Sequence, residues 1–150
     1  MTERTEVPKD LADIPVDPAH PLVVPGAFLL ELLPMPVADV DRAKAFYADK
    51  LGWTCDVDIS PTDGVRIAQF TPPGSYCSIL LSTGLPQVDM PVGSQRGLHL
   101  VVKDLEAARQ QLVDRGVEVS EIEDLGGVYY AWFADPDGNT WALQHMPWRA

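Results

Sequence analysis

Apolar and polar positions along this chain fall into two runs of the same form. "FLLELLPMPV", residues 28–37, is a nearly unbroken apolar stretch that reads as extended strand. It leads to Asp39, whose short carboxylate suits the start of a helix. Val40, Ala43, Phe46, Tyr47 and Leu51 then recur at helical spacing, and Gly52 stands where such a helix would stop. Three strands are expected next, near 53–59, 65–71 and 76–82, the last two joined through "TPPGS". The pattern then returns. A strand runs into Val102, Asp104 caps, Leu105, Ala108 and Leu112 form the apolar stripe, and Gly116 stops the helix. Strands near 117–122, 128–134 and 140–146 complete the second run, with "DPDGN" as its closing hairpin.

The two runs align. Val37 and Asp39 meet Val102 and Asp104 at an offset of 65, and Gly64, Val65, Ala68 and Phe70 meet Gly127, Val128, Ala131 and Phe133. Through "GSYCS", the same alignment sets Ser78 against Ala142. One supersecondary unit has been used twice. The expected fold class is α+β, two βαβββ units over about 27–83 and 96–147 within a domain of residues 26–150. Residues 1–25 stand apart, because Pro8, Pro15, Pro18, Pro21 and Pro25 interrupt any helical or strand period and imply an extended arm.

Composition narrows the function classes. Twenty-two acidic against eleven basic side chains give a net charge of −11, a field that repels phosphate backbones and anionic lipid surfaces. Neither nucleic acid nor a membrane is an expected partner. No apolar run approaches the ~20 residues that span a bilayer, and the N-terminus lacks the apolar core of a secretory signal. Cys55 and Cys77 fit neither a disulfide framework nor a metal-binding pair, so a reduced, cytoplasmic protein is expected.

"VADVDRAKAFYADKLGW", "VKDLEAARQQLVDRGVEV" and "FADPDGNTWALQ", set in the repeat, resemble the vicinal oxygen chelate superfamily of glyoxalases, bleomycin-resistance proteins and extradiol dioxygenases. The resemblance covers residues 27–146. It implies that the units pair into a curved mixed sheet around a cavity with the helices outside, and that two chains form a homodimer. Metal-dependent members hold a divalent ion with one side chain from the first strand and one from the last strand of each unit. The resemblance carries those places onto Leu32, Ser78, Gly97 and Ala142, which offer no metal-binding set. No metal and no other cofactor is therefore expected.

Alternation along a strand puts i and i+2 on one face, so His99 and Gln144 would face the cavity one rung from Gly97 and Ala142. His99 is a candidate acid or base, or a polar wall residue that bonds a ligand or Gln144. Leu32 with Phe28 and Leu30, and Ser78 with Tyr76 and Leu80, are candidate walls for a largely apolar or aromatic ligand. Arg66 would meet a ligand carboxylate or a surface acid. Of Tyr129 and Tyr130 only one can face inward, and Trp132, Trp141 and Trp148 either stack on a flat ligand or cover the core. Asp135 and Asp137 are expected to be structural, with Asp and Asn bonding the local backbone and no catalytic role.

Two functions stand open at this point. One is a metal-independent binding protein of bleomycin-resistance type, taking a small apolar or aromatic molecule. The other is an enzyme: a lyase, isomerase or cyclase using His99, or a metal-dependent lyase or dioxygenase with ligands displaced to His99 and Gln144.

Overall fold

A computed structural model describes residues 28–149, together with Val7, Lys9, Asp10, Ala12 and Gly26. The arm expected over residues 1–25 falls almost wholly outside the described residues. The elements run β1 (Leu32–Pro36), α1 (Val40–Ala45), β2 (Thr54–Ile59), β3 (Arg66–Thr71), β4 (Ser78–Thr83), β5 (Leu98–Val101), α2 (Leu105–Asp114), β6 (Glu123–Leu125), β7 (Val128–Ala134) and β8 (Thr140–His145). Each unit closes a mixed four-stranded sheet, ordered β1-β4-β3-β2 and β5-β8-β7-β6, with the first strand parallel to the last and the rest antiparallel. The protein is α+β, with the βαβββ unit present twice.

The helix signals work as their chemistry requires. Asp39 accepts from the backbone N–H of Arg42 at 3.2 Å, and Asp104 from that of Ala107 at 3.0 Å. Beyond Ala45 the first helix widens into a π turn over Phe46–Lys50, in which the Leu51 N–H reaches back to the Phe46 carbonyl. Gly52 and Gly116 follow the two helices at φ of 72° and 83°, the left-handed conformation that ends a helix without a Cβ clash. There the units grip each other reciprocally. The Lys50 ammonium donates to the Arg115 carbonyl at 2.9 Å, and the Arg115 guanidinium donates to the Lys50 carbonyl at 3.2 Å.

Three expectations need correction. The first strand begins at Leu32, and Phe28 and Leu30 precede it, 99% and 68% exposed. The last strand of the first unit begins at Ser78, so Tyr76 belongs to the turn before it. In the second unit the strand expected over 117–122 forms only at Glu123–Leu125. The reason is local. The Ser120 hydroxyl accepts from the Trp132 N–H at 2.9 Å, and the Arg109 guanidinium takes the Ser120 carbonyl at 2.7 Å. One backbone bond, from the Ser120 N–H to the Trp132 carbonyl, remains at 2.9 Å; side chains take the neighbouring groups, and regular pairing starts three residues later.

One core serves both units. Met35, Tyr47, Phe70, Ile79 and Leu81 of the first lie with Leu112, Ala131, Phe133, Trp141 and Leu143 of the second on the helix-facing sides of the sheets. Tyr47 sits at its centre, fully buried, with ring centroids of Trp53, Phe70 and Trp141 within 5.3–6.2 Å. Its hydroxyl donates to Asp135 at 2.7 Å and accepts from the Trp141 indole at 3.1 Å. Burial, reinforced by the Asp135 carboxylate, pushes the Tyr47 phenol far above the ordinary tyrosine range, so it stays a donor. Tyr47→Phe is expected to cost about 1–3 kcal/mol by leaving Asp135 and the Trp141 N–H short of a partner. A urea-melt midpoint unchanged from the parent would show that this bond does not join the units.

Candidate site on the helix-free face of the second sheet

The strand register sorts every candidate by face. Ala131 and Phe133 enter the core, so their neighbours Tyr130 and Trp132 point away from the helices. His99 pairs with Ala142 and Tyr130 with Gln144 across the ladder, which gathers all four on the same helix-free face. Tyr130 and Trp132 stack at a 5.9 Å centroid spacing and 15° between planes. The His99 ring stands edge-on to both, 5.8 Å and 5.9 Å away at 85° and 86°. The Gln144 amide donates to the Tyr130 hydroxyl at 3.1 Å, which leaves the phenol proton free to be donated onward. His99 is exposed, and Tyr130, Trp132 and Gln144 are half-buried. This is a two-ring apolar wall with a polar rim, built on strands. Beside it, a cleft of about 500 Å³ runs along the β5 edge between α2 and the Pro72–Ser75 turn, and His99 and Val101 line it.

The other candidates lie elsewhere. Leu32 and Ser78 are neighbours across the β1–β4 ladder, on the helix-free face of the first sheet. Ser78 is buried and shares a 2.7 Å hydrogen bond with Thr71, whose hydroxyl also donates to Asp56. That small polar cluster had no signature in the chain. Tyr76 is 58% exposed in the turn before β4. Arg66 points to the helix side, where Asp58 and Asp41 hold its guanidinium at 3.0 Å and 2.8 Å. Tyr129 and Trp141 also take the helix side. Tyr130 and Trp132 were separable from them in principle. Their neighbours Ala131 and Phe133 repeat Ala68 and Phe70, and a residue pair held in both units marks the shared core.

The register also corrects the repeat at its last strand. Arg66 pairs with Thr83 and Tyr129 with His145, so Leu80, and not Ser78, is the mate of Ala142. The connection over 72–77 is one residue longer than its counterpart over 135–139, where the alignment had set it one shorter. The places that the resemblance assigns to a divalent ion thus carry Leu32, Leu80, Gly97 and Ala142, with no imidazole, carboxylate or hydroxyl among them. Among the described residues no three His, Cys, Asp or Glu side chains converge as a metal site. The residues present do not fit the ion.

With the repeat, the sheets and this face established, comparison with known proteins identifies the family. Residues 29–143 match the Glyoxalase/Bleomycin resistance protein/Dioxygenase superfamily, and the chain belongs to it. Among solved structures it is similar to TnmS3, described as an antibiotic binding protein from Streptomyces sp. CB03234. The two are 34% identical over 81% of this chain and 98% of that one, with a TM-score of 0.71. A glyoxalase/bleomycin resistance protein from the same organism is 36% identical over 75% of this chain and 96% of its own, at a TM-score of 0.65. A glyoxylase-like domain-containing protein of Didymella fabae is 29% identical over 118 residues, 75% of this chain and 90% of the relative.

The Arg66 network makes a pH prediction. The Arg66 hydrogen bonds, and after them Lys44, hold the Asp58 carboxyl below the usual 3.8. A depressed folded-state value gives stability that is present above the unfolded value and is lost as pH falls through the folded one. Asp58→Asn is therefore expected to lower stability at pH 7 by about 1–2 kcal/mol and to flatten its decline below about pH 4. Parallel urea melts at pH 7 and pH 3 check this; equal losses at both would assign the effect to packing.

Proposed function

We propose that this protein binds a flat, largely apolar small molecule against Tyr130 and Trp132, without a metal ion, with His99 and Gln144 as polar anchors. The observation that carries this reading is the stacked, half-buried pair of rings on a face that no helix covers. An aromatic guest laid on such a pair gains about 0.5–1.5 kcal/mol per ring beyond the area it buries. Convergent polar groups at the rim of an apolar wall are what small-molecule sites use to orient a ligand. The similarity to TnmS3, described as an antibiotic binding protein, supports the same reading, and the unsuitable donor set supports metal independence.

The assembly we propose is a homodimer in a reducing, cytoplasmic setting, where Cys55 and Cys77 stay free thiols. Phe28, Leu29 and Leu30 are 99%, 51% and 68% exposed just before the edge strand β1, and β5 is the matching edge of the second sheet. Exposed apolar segments beside open edges favour association of two copies.

Protein purified without added ligand is expected to show, in a native mass spectrum, two chains, no stoichiometric metal, and additional mass from an organic molecule. Trp132→Ala is expected to remove that mass while leaving the urea midpoint within about 1 kcal/mol of the parent. One tightly held metal per chain, lost in His99→Ala, would overturn the metal-free reading. Conversion of an added candidate ligand, abolished in His99→Ala, would replace binding by catalysis.

A further inference from the structure

The hydrogen bonding around His99 decides which ligand polarity this face accepts. Its Nδ1 lies 2.6 Å from the Gly97 carbonyl oxygen. A carbonyl has no proton to give, so Nδ1 must carry one, and in the neutral ring Nε2 is then a bare acceptor. Among the described residues no group bonds Nε2, and the side chain is exposed. The edge-on contacts with Tyr130 and Trp132 restrain the plane of the ring.

The Gly97 backbone is itself anchored on its N–H side. Gly97 has φ +68°, open to glycine and strained for other residues, and its N–H donates to the Thr140 hydroxyl at 2.8 Å. Thr140 stands on β8, two residues before Ala142, and its own N–H donates to the Gln95 carbonyl at 3.0 Å. Thr140 thus fixes the peptide before Gly97, and the next peptide carries the carbonyl that His99 meets. Elsewhere on the rim, Gln144 donates to the Tyr130 oxygen, so the phenol proton points outward.

From this geometry we infer that Thr140 and Gly97 lock His99 as the Nδ1-protonated tautomer, so that Nε2 accepts a hydrogen bond from the ligand. The ligand is accordingly a planar aromatic carrying a donor, a phenolic hydroxyl or ring N–H, on its rim. Thr140 is a positioning residue, acting through Gly97 and never touching the ligand. The inference rests on the binding reading above and adds the ligand's polarity to it.

The lock is tested without any ligand by long-range ¹H–¹⁵N correlation of the neutral His99 ring. The expected spectrum shows Nδ1 as the protonated nitrogen and Nε2 as the bare one, unchanged in Thr140→Ser and shifted toward a mixture in Thr140→Val. The opposite tautomer in the parent, or an unmoved spectrum in Thr140→Val with the fold intact by circular dichroism, would overturn it. Polarity is tested with 1-naphthol and 1-methoxynaphthalene, titrated by tryptophan fluorescence. Naphthol is expected to bind about three- to tenfold tighter, the worth of one neutral hydrogen bond. That ratio should fall to near one in His99→Phe, which keeps the ring contacts. Equal affinities in the parent would sink the polarity inference and leave aromatic binding standing. If neither probe binds the parent or displaces the molecule it retains, both readings fall.

Discussion

The buried carboxylate of Asp135 is the constraint on which the rest of this structure depends. It accepts from the N–H groups of Asp137 and Asn139, from the Asn139 amide and from the Tyr47 hydroxyl, at 2.7–3.0 Å. Four donors on two oxygens fill an acceptor that would otherwise be costly to bury. Three of them shape the last turn of the second unit, and the fourth reaches into the helix of the first. The neighbouring Asp137 accepts from the Ala38 N–H and the Arg42 guanidinium, at the start of the same helix. A turn that local chemistry would explain by itself thus also sets how the two units meet. The β8 strand carrying Ala142 and Gln144 leaves directly from it.

The pseudo-symmetry of the chain is kept on one side of the sheets and broken on the other. On the helix side Ala68 and Ala131 correspond, as do Phe70 and Phe133, Leu81 and Leu143, and the caps Asp39 and Asp104. The apolar positions among these share one core, where dense packing limits what each can become, and the caps are fixed by their helix starts. On the helix-free side Pro34 stands where the second unit has His99, Ile67 where it has Tyr130, Gln69 where it has Trp132, and Ser82 where it has Gln144. Nothing in the core depends on those side chains, so chemistry has room to vary there. The aromatic wall belongs to the second unit alone, and the hydrogen-bonded cluster of Asp56, Thr71 and Ser78 to the first.

This division explains what was legible in the chain. The helices, their caps and stops, and the repeat follow from period and turn residues, which act locally, and the structure carries them. Alternation placed His99 and Gln144 on one face with Ala142, as the register has them, because a two-residue error keeps the face where a one-residue error would flip it. The pairing of Ser78 with Ala142 was not recoverable, since the connection before β4 is one residue longer than its counterpart and not one shorter, a two-residue shift that preserves the face. Arg66 was misleading for a different reason. A lone cation reads as a ligand group, while the acids that hold it, Asp58 and Asp41, come from β2 and α1 and meet it only in the fold. The second unit's early strand is reduced to one backbone bond between Ser120 and Trp132 because the Ser120 and Arg109 side chains take the Trp132 N–H and the Ser120 carbonyl, an alternative that strand propensity does not register.

A donor set unsuited to an ion and a stacked aromatic wall are two consequences of one geometry. The positions on the helix-free face are supported from behind by a shared core and by a turn buried against Tyr47, so their side chains are free of structural duty. A divalent ion there needs several donors converging at about 2 Å, which four independent strands must supply together. Two stacked rings need only residues i and i+2 of one strand, a condition that Tyr130 and Trp132 meet within β7 alone. The pair keeps its edges against the His99 ring and leaves the rest of its surface half-open. Apolar surface left in water costs about 25 cal/mol per Å², so a molecule that covers those rings recovers free energy that folding alone did not. A scaffold that requires little of this face leaves room for a stacked pair on one strand, with its fold intact.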